Sequence, residues 1–163
     1  MGKTITSARS NIVFSLIISG KKGRIYQILE RYDIDLLAPE ELVSEFREYV
    51  SLLRKKSEDF EKRTLLAFSL IAIVPIEVYS DKIPEALGIA REFDEKDAPF
   101  IALALKLGIP VWTEDKDMLR HSFLTGRYLA LDTEAVKELL EGAKLEDALE
   151  KLRNRLSLSE KDV

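Results

Sequence analysis

The chain has 163 residues, 46% of them hydrophobic and 33% charged, with 7 glycines and 5 prolines, a composition too apolar for a disordered protein and too varied for a fibrous one. It contains no cysteine and one histidine, which excludes disulfide scaffolds, cysteine nucleophiles and zinc sites built from these residues. The formal net charge of −4, from 25 basic and 29 acidic residues, excludes a broad basic surface of the kind that binds nucleic acid.

The length predicts a single domain over residues 1–156, followed by a flexible tail over residues 157–163. The apolar run at residues 12–18 is too short to span a bilayer and has no cleavage site of small residues. We therefore expect a cytoplasmic protein with no membrane partner.

Short apolar or β-branched runs alternate with longer stretches of helical period, which is typical of a parallel sheet covered by helices. Strands are predicted at residues 3–8, 35–37, 73–76, 109–112 and 128–131. Helices are predicted at residues 11–19, 23–31, 40–53, 58–72, 81–93 and 97–107, with one turn at 117–121. The pattern predicts an α/β domain in three layers, α/β/α, around a short, mainly parallel sheet of about five strands.

The last predicted helical stretch covers residues 133–156, with Thr133 as its N-cap and a break at Gly142. Four leucines repeat there at helical spacing: Leu145, Leu149, Leu152 and Leu156. This stripe packs onto the domain or forms a seam with a second chain. Elsewhere, Phe100 and Trp112 are expected in the core, and His121 at the surface.

Acidic residues follow the predicted strand at 109–112. Ligand sites of open α/β sheets form beyond the carboxyl ends of strands, where Asp115 and Asp117 would lie. Their spacing allows both carboxylates to face one hard cation, and Thr113 adds a hydroxyl. The alternative is a polar turn in which Asp117 begins a helix.

Two more acids are expected near this edge of the sheet. Asp97 precedes Pro99 at the start of a helix, where capping alone would explain it. Because that helix leads back into the strand at 109–112, its first residue is brought toward Asp115. Glu45 projects inside the apolar arc of helix 40–53, so it needs either a basic partner or a cation shared with Asp97 and Asp115.

The run Asp97-Ala98-Pro99-Phe100-Ile101-Ala102-Leu103-Ala104-Leu105, followed by Gly108-Ile109-Pro110-Val111-Trp112-Thr113 and Asp115-Lys116-Asp117, resembles the PIN domain. This nuclease-type α/β domain occurs in the toxins of VapBC-type toxin-antitoxin pairs and in RNA-processing factors. Residues 11–14 and 39–45 resemble its first helix and second motif. The resemblance identifies catalytic, metal-binding and supporting residues: Glu45, Asp97 and Asp115 as catalytic metal ligands, Asp117 as a further acid, and Asn11 and Thr113 as supporting polar residues.

This resemblance implies hydrolysis of phosphodiesters in single-stranded RNA, assisted by one or two Mg²⁺ or Mn²⁺ ions. It also implies an antitoxin partner and a homodimer. Four cations are candidates for phosphate contacts, or else belong to an ordinary solvated surface: Lys21, Lys22, Arg24 and Lys116.

The first motif departs from the family pattern. The first strand of a PIN domain ends in Asp-x-Asn, whereas this chain has Arg9-Ser10-Asn11, and no acidic residue occurs before Glu30. A guanidinium at this place could pair with Asp97 or Asp115 and take the role of the metal. Two hypotheses follow, a metal-dependent ribonuclease and a catalytically degenerate PIN-like module that binds RNA or protein. A phosphatase-like or receiver-like domain is disfavoured, because its phosphoryl-accepting Asp would also follow an early strand.

Overall fold

The computed structural model describes residues 4–157, so Lys3 of the first predicted strand and residues 158–163 of the predicted tail lie outside it. One parallel sheet of five strands runs through this part of the chain, in the order β3-β2-β1-β4-β5. The strands are β1 Thr4–Ala8, β2 Ile34–Pro39, β3 Ile71–Val74, β4 Val111–Trp112 and β5 Ala130–Leu131.

Helices cover both faces of the sheet, which confirms the predicted three-layer α/β/α architecture. The first five are α1 Ser10–Ser19, α2 Arg24–Arg31, α3 Glu41–Lys56, α4 Phe60–Ser69 and α5 Ile76–Tyr79. The others are α6 Ile83–Ala90, α7 Ala98–Leu107, α8 Lys116–Thr125, α9 Thr133–Leu140 and α10 Leu145–Arg155. Short 3₁₀ turns lie at Gly20–Lys22, Ser80–Lys82 and Glu95–Asp97. Within residues 4–157, no helix is both long enough and apolar enough to cross a membrane.

The pairing of β1 with β4 fixes the edge at which polar residues meet. Ala8 is in register with Trp112, and the backbone N–H of Arg9 donates to the carbonyl of Trp112 at 2.9 Å. Because both strands are parallel and end at this level, Arg9 and Thr113 leave the sheet side by side. This is the carboxyl edge, where open α/β folds place their ligand sites.

The core packs against the same two strands. Phe100 and Trp112 are fully buried, as predicted. The indole N–H of Trp112 donates to the hydroxyl of Thr133 at 3.0 Å, so the only polar atom of this side chain is satisfied within the core. The loop after β4 is therefore attached to a rigid, fully packed strand.

Several predicted boundaries near the ends of strands are wrong. The strand predicted at 73–76 lies two residues earlier, at Ile71–Val74, and the helix predicted to run to residue 72 ends at Ser69. The strand stops before Pro75, which has no backbone N–H to donate, and a short helix follows it. The single turn predicted at 117–121 is a helix that runs to Thr125 and ends at Gly126 in the left-handed conformation. Its buried residues Met118 and Leu119 provide the apolar face that extends it.

The N-cap of α9 is Asp132 rather than Thr133. The Asp132 carboxylate accepts a hydrogen bond from the backbone N–H of Ala135 at 2.8 Å and also pairs with Arg155 of α10. In the leucine stripe, Leu152 and Leu156 are buried while Leu145 is 42% exposed. The stripe thus packs onto the domain, mainly through its second half.

His121 is not the surface residue that we predicted. Its side chain is only 12% exposed and lies 4.6 Å, centroid to centroid, from the ring of Phe93. Its two ring nitrogens contact the Tyr128 hydroxyl at 3.1 Å and the Glu92 carboxylate at 3.2 Å. These contacts come from the turn after α6 and the loop before β5, which a local sequence pattern does not bring together.

Candidate functional site

Four segments bring charged side chains to the carboxyl edge of the sheet. Arg9 follows β1 as the N-cap residue of α1, and Asp115 follows β4 as the N-cap residue of α8. Glu45 lies in the second turn of α3, and Asp97 precedes α7. We call Arg9, Glu45 and Asp97 the Arg9 cluster.

The guanidinium of Arg9 bridges the other two members of this cluster. Its Nε contacts Oδ1 of Asp97 as an ion pair, and its terminal nitrogen lies 3.2 Å from Oε2 and 3.4 Å from Oε1 of Glu45. The guanidinium carbon stands 4.6 Å from the centroid of the Phe100 ring, within the range of a cation–π contact. The guanidinium is therefore held from three sides.

Ser10 completes the contact with Glu45. Its hydroxyl donates to Oε2 of Glu45 at 2.7 Å and accepts from the guanidinium of Arg9 at 2.5 Å. Glu45 is partly buried, as predicted, and has its partner in the first motif. Sequence reasoning missed Ser10 and the stacking role of Phe100, although Ser10 stands next to the residue that breaks the family pattern.

Burial dominates the electrostatics of the cluster. Asp97 is fully buried, and this desolvation raises the pKa of its carboxyl to about 6, although the charge of Arg9 opposes the shift. Both carboxylate oxygens of Asp97 lack an aligned hydrogen-bond donor within residues 4–157. Burial alone would lower the pKa of the Arg9 guanidinium, but the charges of Asp97 and Glu45 outweigh it and raise that pKa. Asp97 thus depends on a cation close by.

Asp97 occupies the N-cap position of α7, as predicted, but its side chain makes no capping hydrogen bond to this helix. The carboxylate points instead into the Arg9 cluster, where its Oδ1 meets Arg9. Its burial therefore has an electrostatic explanation rather than a capping one.

A second polar group lies beside the cluster and involves Asn11, Thr113 and Asp115. The side-chain amide of Asn11 donates to the Thr113 hydroxyl at 3.1 Å, and the same oxygen accepts from the backbone N–H of Asp115 at 3.0 Å. The carboxylate of Asp115 accepts from the backbone N–H of Asp117 at 2.9 Å and so caps α8. Asp117 itself is exposed.

The residues of this edge do not fit a divalent cation in their present arrangement. The position between Glu45 and Asp97 that a shared ion would need is taken by the guanidinium of Arg9. Asp115 directs one oxygen to the backbone instead. Over residues 4–157, no group of three or more acidic or histidine side chains is arranged to hold a metal. The positive charge beside Glu45 and Asp97 comes from Arg9 of the same chain.

The four cations predicted to contact phosphate do not gather at this edge. Lys21 and Lys22 follow α1, whose ten residues place them about 15 Å from its start at the Arg9 cluster. Arg24 pairs with Glu134 of α9. Lys116 alone begins a helix beside the acids, with its side chain exposed.

An apolar groove opens between α1 and α3, directly beside the cluster. It has a volume of about 460 Å³, and its walls include Phe14, Tyr49, Leu52 and Lys56. Tyr49 and Leu52 are 40% and 46% exposed, and the rings of Phe14 and Tyr49 lie 5.6 Å apart. We call it the Tyr49 groove. Exposed aromatic and leucine side chains of this kind mark interaction surfaces.

The sequence profile of a PIN domain family matches residues 9–157. Among solved structures, a chain of VapBC2 from Rickettsia felis, determined in complex with a DNA fragment from the promoter of its own genes, superimposes with a TM-score of 0.59. The two share 14% identity, and the match covers 79% of this chain and 98% of the other. A search of curated protein sequences finds no significant match.

Proposed function

This chain belongs to the PIN domain family, and we propose that within it the chain acts by binding a partner protein rather than by hydrolysing RNA. The observation that carries the proposal is the position of the Arg9 guanidinium between Glu45 and Asp97. A fixed positive charge offsets one of the two negative charges of Glu45 and Asp97, and it offers neither the open coordination positions nor the bound water that metal-assisted hydrolysis requires. The Arg9 cluster then has a structural role.

The Tyr49 groove supports a protein as the partner. Exposed apolar and aromatic side chains are costly in water and are enriched at the centres of protein interfaces. The structural neighbour from Rickettsia felis is a toxin-antitoxin pair by its name, and a partner of the antitoxin kind is proposed here by analogy. Single-stranded RNA is the alternative ligand.

A metal-dependent ribonuclease is the second candidate, and one observation favours it. The hydrogen bonds that join Asn11, Thr113 and Asp115 are all formed, so the polar residues implied by the family resemblance keep an ordered arrangement. In this candidate Glu45, Asp97, Asp115 and Asp117 regain the role of metal ligands once the guanidinium of Arg9 moves away. Activity would then require a rotation of one side chain.

Metal titration of the unmodified protein separates the two candidates. Isothermal calorimetry with Mn²⁺ and with Mg²⁺ should give no saturable binding, and a labelled single-stranded RNA should remain intact in the same preparation. The Arg9→Asp variant should bind Mn²⁺, because the exchange replaces the cation by a fourth carboxylate beside Glu45, Asp97 and Asp115. Its melting temperature should rise with added Mn²⁺.

Two outcomes would change the proposal. Saturable metal binding and RNA cleavage by the unmodified protein, both lost in Asp115→Asn, would establish the ribonuclease and overturn the binding role. RNA binding without cleavage, measured by fluorescence anisotropy, would overturn the choice of a protein partner. The double variant Arg9→Asp/Asp115→Asn is the matched control, since it restores the first carboxylate while removing another.

A further inference from the structure

A second groove lies at the far end of α1. It has a volume of about 570 Å³, and its walls come from the 3₁₀ turn after α1 and from α4: Lys21, Lys22, Asp59, Lys62, Arg63, Leu65, Leu66 and Ser69. We call it the lysine groove. Because α1 is about 15 Å long and begins at the Arg9 cluster, this groove lies away from that cluster, and it shares no lining residue with the Tyr49 groove.

The charges around the lysine groove are unbalanced. Its rim carries four basic residues and one acidic residue, in a chain whose formal net charge is −4. Lys21, Lys22 and Lys62 are exposed, and within the described range, residues 4–157, none of the three forms an ion pair. A local positive field of this kind attracts an anionic ligand.

Arg63 has a different task from the lysines. Its guanidinium donates to the carbonyl of Ile18 in the last turn of α1, and its side chain lies against Gly20. Gly20 has a positive φ of 61°, which favours glycine, and a Cβ atom there would stand 2.6 Å from Nε of Arg63, so a larger residue would also displace the end of that side chain. The contact between Arg63 and Ile18 joins α4 to the last turn of α1 beside the groove.

The lining of the groove is apolar as well as basic. Leu65 is 73% exposed, the largest exposed fraction among the large hydrophobic side chains of residues 4–157, and Leu66 lies beside it. No aromatic ring lines the groove as described, whereas single-stranded nucleic acids are held by stacking on aromatic side chains. Exposed leucine beside several lysines matches one amphipathic segment, whose apolar side chains would contact Leu65 while its carboxylates face the lysines.

We propose that the lysine groove binds an acidic amphipathic helix of a partner protein. The inference shares with the proposed function the expectation of a protein partner, but it rests on a different set of lining residues. Charge complementarity selects the acidic segment, and the exposed Leu65 selects an amphipathic one over a simple polyanion.

The test is a binding titration followed by fluorescence anisotropy. The probe is a fluorescein-labelled peptide of about five helical turns, with leucine at i, i+3, i+4 spacing and glutamate elsewhere. It should bind the full-length protein, and the triple variant Lys21→Glu/Lys22→Glu/Lys62→Glu should lower the affinity by about tenfold or more. Leu65→Ser should lower it by about fivefold, without a change in melting temperature, because this side chain is largely in water.

Matched controls lie on other surfaces of the protein. Lys144→Glu changes an exposed lysine before α10, and Leu124→Ser changes a leucine of α8 that is 54% exposed. Both should leave the affinity within about twofold of the unmodified protein, because neither residue lines the groove. Equal losses in the controls and in the groove variants would overturn the assignment of the site.

Two further probes define the ligand class. The same peptide with lysine in place of glutamate should not bind. Labelled oligouridine that binds in place of the acidic peptide, and is lost in the triple lysine variant, would overturn the protein ligand in favour of RNA. Absence of binding by the acidic peptide would overturn the proposal. Metal binding with RNA cleavage by the unmodified protein, both lost in Asp115→Asn, would refute the proposed function while leaving this result intact, so the two failures are distinguishable.

Discussion

Replacement of Arg9 by methionine tests the electrostatic role of the Arg9 cluster. Methionine keeps most of the side-chain length over the Phe100 ring but removes the charge. Asp97 is fully buried and Glu45 is 17% exposed, so two carboxylates at close range would lose their counter-ion. Breaking a buried ion pair from one side costs about 3 to 5 kcal/mol, which is a large share of the stability of a typical domain.

The assay is urea unfolding at pH 8 in the presence of EDTA, followed by the fluorescence of Trp112, the only tryptophan of the chain. We expect Arg9→Met to lower the free energy of unfolding by about 3 kcal/mol, equivalent to a fall in melting temperature of about 10 °C. At pH 5 the loss should be smaller, because Asp97 can take up a proton once its counter-ion is gone.

The double variant Arg9→Met/Asp97→Asn is the decisive control. A neutral amide needs no counter-ion, so this variant should recover part of the stability that Arg9→Met loses. Arg24→Met, which removes an exposed ion pair with Glu134, should cost less than about 1 kcal/mol. A loss below about 1 kcal/mol in Arg9→Met, or one that Asp97→Asn does not reduce, would refute the electrostatic role of Arg9.

Three other expectations follow from the described contacts. Burial raises the pKa of Asp97 to about 6 in the folded protein, whereas this pKa is near 4 in the unfolded chain, so the folded protein binds the proton more tightly. The stability of the unmodified protein relative to Asp97→Asn should therefore be highest below pH 4 and fall as the pH rises to about 6. Urea unfolding across this pH range measures the change. Thr113→Val removes the oxygen that accepts from Asn11 and should cost about 1 to 3 kcal/mol in the same assay, while Thr113→Ser should restore most of the loss. Asp132→Ala removes both an N-cap and the partner of Arg155, and should lower the free energy of unfolding by about 2 kcal/mol, with Asp132→Asn intermediate because the amide can still cap.

The sequence predicts the sheet and its helical layers because periodicity reports burial directly. The five strands were predicted from apolar runs, and each observed strand overlaps its prediction. Boundaries failed where contacts outside the apolar pattern decide them. The N-cap of α9 is Asp132 rather than Thr133, because the Asp132 carboxylate accepts from the backbone N–H of Ala135; the same carboxylate also pairs with Arg155 of α10, a contact that no local pattern contains.

The candidate site was predictable in its members but not in its pairing. The sequence indicates that a guanidinium at Arg9 would meet Asp97 or Asp115, and the structure joins it to Asp97 and Glu45. The choice depends on how α3 packs against α1, which places the Glu45 carboxylate within reach of Arg9 and Ser10. Asp115 instead accepts a hydrogen bond from the backbone N–H of Asp117 at the start of α8.

Two of the residues predicted to contact phosphate are close to the site in the sequence but distant from it in the structure. Lys21 and Lys22 are close to the first motif in the sequence, but a straight helix carries them to the far end of α1. Proximity along the chain is a poor guide when a regular helix intervenes, because each turn adds about 5.4 Å. The same helix is what gives the two lysines a separate groove.

Arg9 also determines whether the Arg9 cluster depends on ions from solution. A bound ion stabilises a fold by an amount that grows with its free concentration and vanishes when a chelator removes it. A guanidinium is covalently part of the chain, so the stabilisation it gives does not depend on the concentration of any ion. Holding the side chain in one conformation costs about 2 kcal/mol of side-chain entropy. On the proposed function, the carboxylates of Glu45 and Asp97 have a counter-ion that is part of the chain and cannot be depleted, and we expect the stability of the fold not to change with the supply of divalent metal.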